Sequence, residues 1–175
     1  MKPRRVQLLV VSIAAALLTS CATTHHEATA HDHSEDEAES FYLPNAEASR
    51  ILTVTTKGTV TASVIIQTQR AAVKETGPKE SVARFGEVYA FSPSFVAVHR
   101  DEPTSFKFWN LQPDDQHTFL LEDPQSTVLL KIALPPVQER AFIFTFHQEG
   151  LFNFHCGVHQ PGMNGQILVL PPRGR

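Results

Sequence analysis

The sequence predicts an all-β fold, a Greek-key β-sandwich or barrel with an extra hairpin at its N-terminal side. Three observations lead to this prediction. Beyond residue 50, short segments rich in β-branched and aromatic residues are separated by turn-forming residues. Apolar residues alternate most clearly near the end of the chain, where Phe142, Phe144 and Phe146 share one face. No segment shows a sustained helical period. Many short strands in two packed layers are therefore expected.

The predicted elements follow in chain order. Residues 51–56 and 59–68, joined by Lys57-Gly58, predict a hairpin, and Gly77-Pro78 breaks the chain after it. The remaining predicted strands cover residues 82–91, 95–99, 105–110, 118–122, 127–134, 140–147, 151–156 and 166–170. In the last turn, Gly157, Pro161 and Gly162 allow a tight reversal.

The first twenty residues predict a secretory signal that ends in a lipid-attachment site. A basic start is followed by an apolar run over residues 6–18, which is short for a membrane span. Leu18-Thr-Ser-Cys21 then resembles a bacterial lipobox, in which Cys21 is diacylated and becomes the new N-terminus. An ordinary cleavage site beside an unrelated cysteine is the alternative. Ala22 follows the cysteine, which in the lipoprotein pattern favours the outer membrane. The expected location is the periplasm, with a lipid anchor in the membrane.

Residues 21–50 predict a disordered tether between the anchor and a folded domain. Their apolar residues are mostly alanine, so little surface is available to offset the entropy of ordering. The segment holds four histidines and seven acidic residues: His25, His26, His31, His33, Glu27, Asp32, Glu35, Asp36, Glu37, Glu39 and Glu47. It is interpreted as a solvated linker, with loose metal collection as the alternative. From residue 51 onward, Lys+Arg equals Asp+Glu, and nothing indicates a nucleic-acid partner.

Four side chains in the sequence form a set that is suited to redox chemistry. Cys156, His159 and Met163 fall within eight residues, and His117 lies 39 residues upstream of the cysteine. One thiolate, two imidazoles and a thioether are the ligand set of a blue-copper electron-transfer site. Soft sulfur suits Cu(I), while imidazole binds both Cu(I) and Cu(II), so such a site can change oxidation state with little rearrangement.

Strand parity and the cysteine count both support a metal at Cys156. Cys156 shares a strand face with Phe152 and Phe154, so its side chain is expected to point into the core. A buried thiolate needs a compensating cation. If Cys21 is lipidated, Cys156 has no partner within the chain, and a metal ligand role accounts for a lone thiol in an oxidising compartment.

The chain resembles the cupredoxins, the plastocyanin, amicyanin and pseudoazurin family of small copper proteins. The resemblance covers roughly residues 82–172 and is carried by Phe106-Lys-Phe-Trp-Asn110, His117-Thr-Phe, Gly150-Leu-Phe-Asn-Phe-His-Cys156 and Met163-Asn-Gly-Gln-Ile. It implies a cupredoxin core over residues 82–172, with residues 51–81 as additional strands packed on it. It also implies one copper ion per domain, held by His117, Cys156 and His159, with Met163 as a long axial ligand and the edge of His159 as the electron port.

The resemblance implies a carrier of single electrons between redox proteins, with no small-molecule substrate and no enzymatic activity. A copper-handling protein that uses the His-rich tether is the alternative, and a nitrite-reductase-like enzyme is a weaker one. Two departures stand out. Met163 lies four residues after His159, a loop one longer than in amicyanin and one shorter than in plastocyanin. Thr118 follows His117, where many family members carry Asn. His155 is interpreted as an exposed or interface histidine.

Overall fold

The computed structural model describes residues 43–174. The predicted signal segment, the lipidation site at Cys21 and most of the predicted tether lie outside the described residues. Within residues 43–174, no helix has the length and apolar character needed to cross a membrane.

Within the described residues, ten strands and one short helix follow a single 3-10 turn at Ala48–Arg50. The strands are β1 (Leu52–Thr55), β2 (Ala62–Ala72), β3 (Val88–Ser92), β4 (Phe95–His99), β5 (Thr104–Asn110), β6 (His117–Glu122), β7 (Val128–Leu134), β8 (Gln138–Phe146), β9 (Gly150–His155) and β10 (Asn164–Leu170), and the helix is α1 (Lys79–Phe85). They form two five-stranded sheets, one in the order β1-β8-β5-β2-β3 and the other in the order β4-β10-β9-β6-β7. The predicted all-β sandwich is therefore confirmed.

Each sheet contains one parallel pair, β2 with β5 and β4 with β10, and its other pairs are antiparallel. Strands that follow each other in sequence commonly lie in different sheets, as β3 and β4 do. This crossing between layers brings residues from distant parts of the chain to the same end of the sandwich.

The predicted N-terminal hairpin is wrong. β1 pairs with β8, where Val54 lies opposite Phe144, whereas β2 lies between β5 and β3. Two strands, β8 and β5, separate β1 from β2 in the sheet. The Lys57-Gly58 turn signal is local. Strand partners are chosen by which apolar faces pack in the core, and Leu52 and Ile66 are both buried there.

The predicted strand over residues 82–91 is wrong in its first half. Residues 79–85 form helix α1, and β3 begins only at Val88. Pro78 occupies the N-cap, and Gly86 ends the helix with φ +75° and donates its N–H to Val82 O at 2.9 Å. A proline before the helix and a left-handed glycine after it are strong boundary signals, and here they outweigh the β-branched residue between them.

Aromatic side chains fill the space between the sheets. The alternation predicted for Phe142, Phe144 and Phe146 is confirmed, because all three are buried. Phe108 on β5 packs against Phe119 on β6 with ring centroids 4.5 Å apart, which joins the two sheets. The interdigitated rings make a densely packed base beneath the end of the sandwich where β6 begins and β9 ends.

Candidate metal centre

Three donor atoms converge at one end of the sandwich. His117 is the first residue of β6, Cys156 directly follows β9, and His159 lies in the loop before β10. His117 Nδ1 lies 3.0 Å from His159 Nδ1, and Cys156 Sγ lies 3.9 Å from His117 Nδ1 and 3.7 Å from His159 Nδ1. In the described part of the chain, this is the one group of His, Cys and acidic residues placed to hold a metal ion.

The separations fit a single metal ion. The point equidistant from three atoms spaced this way lies about 2.1 Å from each, and imidazole nitrogen and thiolate ligands bind a first-row ion such as zinc at about 2.0–2.3 Å. Copper electron-transfer sites use two imidazoles and one thiolate as donors in a trigonal arrangement. The donor set therefore fits a copper ion without rearrangement of the chain.

The loop that carries His159 is closed by its own hydrogen bonds. Cys156 N–H donates to Met163 O at 2.9 Å, and Met163 N–H donates to His159 O at 3.2 Å. Gln160 Nε2 donates to Cys156 O at 2.7 Å. Cys156 and Met163 are both fully buried, so the inward direction predicted for the thiol is confirmed. The thioether is thus part of the same closed loop as the thiol.

Thr118 ties the two ligand-bearing segments together. Its backbone N–H points to Cys156 Sγ at 3.4 Å, and its hydroxyl lies 3.8 Å from the same sulfur. Gly157 N–H donates to Thr118 Oγ1 at 2.8 Å. Thr118 thus links the start of β6 to the loop after β9 without the asparagine common in cupredoxins.

Both imidazoles are held in their neutral form. Burial first and repulsion from His159 second lower the pKa of His117 to about 4, while Asp115 acts in the opposite direction. Burial also lowers the pKa of His159. A neutral imidazole has a free ring nitrogen, which is the form that binds a metal. The folded chain therefore presents the two histidines ready for coordination at neutral pH.

Two residues that sequence reasoning missed contact this centre. The ring of Tyr89 on β3 lies with its centroid 5.0 Å from that of His117 and 4.4 Å from that of His159. Its hydroxyl donates to Asp115 Oδ2 at 2.6 Å, and burial together with Asp115 raises the pKa of Tyr89. Gln112 Oε1 lies 3.0 Å from His117 Nε2. In the sequence, Tyr89 alternates with Phe91 as any pair of core residues on a strand would, and Gln112 lies in a polar loop. Neither pattern indicates a contact with the donors.

The remaining described histidines lie apart from the centre. His155, one residue before Cys156, is half-buried, and its Nδ1 lies 3.8 Å from Glu122 Oε1. His147 lies 2.8 Å from Asp101 and 2.9 Å from Thr53 through its two ring nitrogens. His99 Nδ1 lies 2.6 Å from Pro171 O.

The similar proteins found are solved structures, with TM-scores under 0.5 for the three described next. No family model matches the chain, and no curated protein matches it. Auracyanin A, a "blue" copper protein of Chloroflexus aurantiacus, is 14% identical with a TM-score of 0.46, over 62% of this chain and 98% of that one. Reduced auracyanin of Roseiflexus castenholzii is 14% identical with a TM-score of 0.48, over 65% and 100%. A reduced Cu(I) form of an amicyanin variant is 13% identical with a TM-score of 0.43, over 68% and 98%.

Proposed function

We propose that this chain is a mononuclear type 1 copper protein that carries single electrons between redox partners. The observation that carries the proposal is the convergence of His117 Nδ1, His159 Nδ1 and Cys156 Sγ, spaced 3.0, 3.7 and 3.9 Å apart. A bound copper would supply a one-electron Cu(II)/Cu(I) couple. The chain supplies donors that suit both oxidation states.

Each ligand has a distinct role in this proposal. Cys156 supplies the thiolate, His117 the buried imidazole and His159 the half-buried one. Met163 is the proposed axial ligand, because it is fully buried and its backbone pairs with that of Cys156. Burial of His117, Cys156 and Met163 excludes water. With these positions filled by side chains, the site is suited to electron transfer and not to binding a substrate.

The proposed route for the electron leads through His159. This residue is half-buried, and its neighbour Val158 is 60% exposed. Pro161 and Gly162 in the same loop are also exposed. An imidazole that is bound to the metal on one side and borders an apolar surface on the other gives a partner protein a short path to the centre.

The test is Cu(II) titration of the purified domain. We expect one copper per chain, an intense visible absorption from thiolate-to-copper charge transfer and a reversible one-electron couple. Cys156→Ser should remove the visible band, because a hydroxyl does not replace the thiolate. His155→Gln, next to the thiol in sequence but outside the donor cluster, is the matched control and should keep it. Colourless protein that only adsorbs copper would exclude the proposal.

We also propose that the protein is extracytoplasmic and lipid-anchored through Cys21. The support is the sequence of the leader, which combines a basic start, an apolar run and Leu18-Thr-Ser-Cys21. Labelling cells with palmitate should mark the wild-type protein and not a Cys21→Ser variant, and the variant should be released from membranes. Equal labelling of both proteins would exclude the anchor.

Copper handling is the competing function, supported by His25, His26, His31 and His33 ahead of the domain. Deleting residues 22–49 separates the two functions. An electron carrier keeps its electron-transfer rate with a soluble redox partner, whereas a delivery protein loses copper transfer to an acceptor. Both measurements use the same purified pair of proteins, the full mature chain and the deletion variant.

A further inference from the structure

We propose that Gln112 is a positioning residue that holds the His117 ring with Nδ1 aimed at the metal. The inference rests on the proposed copper site and concerns how this chain orients one of its ligands. Gln112 lies in the loop between β5 and β6, five residues before His117, and is 4% exposed. It contacts the side of the imidazole opposite the donor nitrogen.

Hydrogen bonds fix the orientation of the Gln112 carboxamide. Its Nε2 donates to the backbone oxygen of Thr68 at 3.3 Å, which leaves Oε1 as the acceptor. His117 Nε2 lies 3.0 Å from that oxygen, and the Thr68 hydroxyl contacts it as well. The Gln112 backbone is also held, because its N–H donates to Asn110 Oδ1 and its oxygen accepts from Val137 N–H, each at 3.1 Å. The backbone and side-chain polar groups of Gln112 are all bonded.

This arrangement decides the tautomer of His117. An amide oxygen only accepts, so the proton of the neutral ring must lie on Nε2. The lone pair then lies on Nδ1, the atom that points to Cys156 and His159. Because His117 and Gln112 are both buried, water does not compete for this hydrogen bond. A partner of this kind fixes the ring orientation and makes the ligand nitrogen more basic.

The positioning extends from the loop to both sheets. Thr68 lies on β2 in the first sheet, and its hydroxyl also lies 2.9 Å from Asn110 Oδ1. Asn110 Nδ2 donates to Leu134 O on β7 at 2.8 Å and to Asp115 O at 2.7 Å. The network therefore anchors Gln112 to strands that are distant in sequence. Motion of the loop between β5 and β6 should then have little effect on the orientation of the His117 ring.

The experiment measures the tautomer directly in the metal-free protein. Nitrogen-15 NMR of the histidine rings at neutral pH should show His117 in the wild type as a single Nε2–H tautomer. Gln112→Met removes the acceptor at similar length and should give a mixture with Nδ1–H. Copper affinity should then fall roughly 10–100-fold. Gln112→Glu keeps an oxygen acceptor for His117 Nε2 and should keep the Nε2–H tautomer, although it loses the hydrogen bond from Nε2 to Thr68 O.

Gln125→Met is the matched control, because Gln125 is an exposed glutamine outside the network, and it should change neither tautomer nor affinity. An unchanged tautomer and affinity in Gln112→Met would overturn the proposal. If that variant does not fold, Gln112→Asn, which withdraws the acceptor by one methylene, is expected to show the same mixture, and a pure Nε2–H tautomer there would also overturn it. The tautomer readout needs no copper, so it remains decisive even if the copper function fails.

Discussion

Single residues that are not donors pack directly against the donor residues. Tyr89 packs against both His117 and His159, and Asp115 holds its hydroxyl. The sequence predicted the donors His117, Cys156 and His159 because their chemistry and spacing are specific. It did not predict Tyr89, because a tyrosine that alternates with Phe91 has the same pattern whether it borders a metal centre or only the core.

Tyr89→Phe should destabilise the metal-free protein. The substitution removes the hydrogen bond to Asp115, and a bond to a charged group contributes about 1.5–3 kcal/mol. Asp115 is partly exposed and can be rehydrated, so the loss in the free energy of unfolding belongs at the lower end. Urea denaturation measures it. The ring remains, so the visible spectrum of the copper form should not change. An unaltered unfolding midpoint would show that the hydroxyl contributes no stability.

The stability of the metal-free protein should fall in mild acid. The pKa of His117 is lowered from about 6.5 to about 4, so below about pH 6.5 the unfolded chain takes up a proton that the folded chain does not. The free energy of unfolding should therefore decrease as the pH falls from about 6.5 to about 4. His159, whose pKa is also lowered, adds to the same effect. Urea denaturation midpoints between pH 7 and 4 measure this loss of stability. In His117→Gln the free energy of unfolding should fall less steeply with pH than in the wild type. An equally steep fall in the variant would show that other groups cause it.

Elements were predicted better than their pairing. Alternation located most strands because it reflects one buried and one solvated face of a single segment. Pairing depends on residues far apart in sequence, which is why the expected hairpin proved to be two strands separated by β8 and β5. Helix α1 shows a second limit, since the seven residues between Pro78 and Gly86 are too few to show a sustained helical period in the sequence.

The turn between β7 and β8 contains a strained residue. Val137 has φ +51°, which is costly for a β-branched residue, and it is 69% exposed. Val137→Gly should stabilise the protein by about 1 kcal/mol, because relief of strain exceeds the added entropy of the unfolded chain. Val128→Gly is the matched control at an exposed strand valine, and it should destabilise. Equal losses in the two variants, measured by urea denaturation, would contradict the argument.

β10 begins with a close approach that only glycine permits. A Cβ on Gly165 would lie 2.2 Å from Phe154 Cζ and 2.4 Å from Ser94 O, and Ser94 O also accepts a hydrogen bond from Gln166 N–H. Gly165→Ala should therefore cost about 1–3 kcal/mol and disturb the strand that carries the site loop. Thermal unfolding and the visible spectrum report both effects. Gly174→Ala meets nothing within 4 Å and should be neutral; a neutral Gly165→Ala would refute the clash.

At the scale of the whole molecule, the two sheets contribute different residues to the site. The second sheet carries the donors, because His117 begins β6 and Cys156 and His159 lie between β9 and β10. The first sheet supplies Tyr89 on β3, which contacts both imidazoles, and Thr68 on β2, which contacts His117 only through Gln112. The centre is complete only when the sheets are packed together, so metal binding and folding of the sandwich must be coupled.

Copper should therefore stabilise the entire domain. A ligand that binds only the folded state adds about 2.7 kcal/mol at a hundred times its dissociation constant. We expect Tm to rise with copper concentration, in one cooperative transition followed by both far-ultraviolet circular dichroism and the visible band. Cys156→Ser should lose most of this increase. A rise in Tm of equal size in that variant would indicate that copper acts elsewhere on the chain.

The sequence by itself determined most of the strands, the inward direction of Cys156 and the metal-binding residue types, because these follow from local periodicity and from the chemistry of each side chain. The leader and the tether are also sequence predictions, and the leader and most of the tether lie outside the described residues. Only the tertiary structure decided which strands pair, which ring nitrogens face each other and which neighbours hold them. Tyr89 contacts His117 from a distant strand, and Thr68 on another distant strand contacts Gln112, which in turn contacts His117. These contacts depend on the packing of the two sheets, which the sequence pattern does not encode.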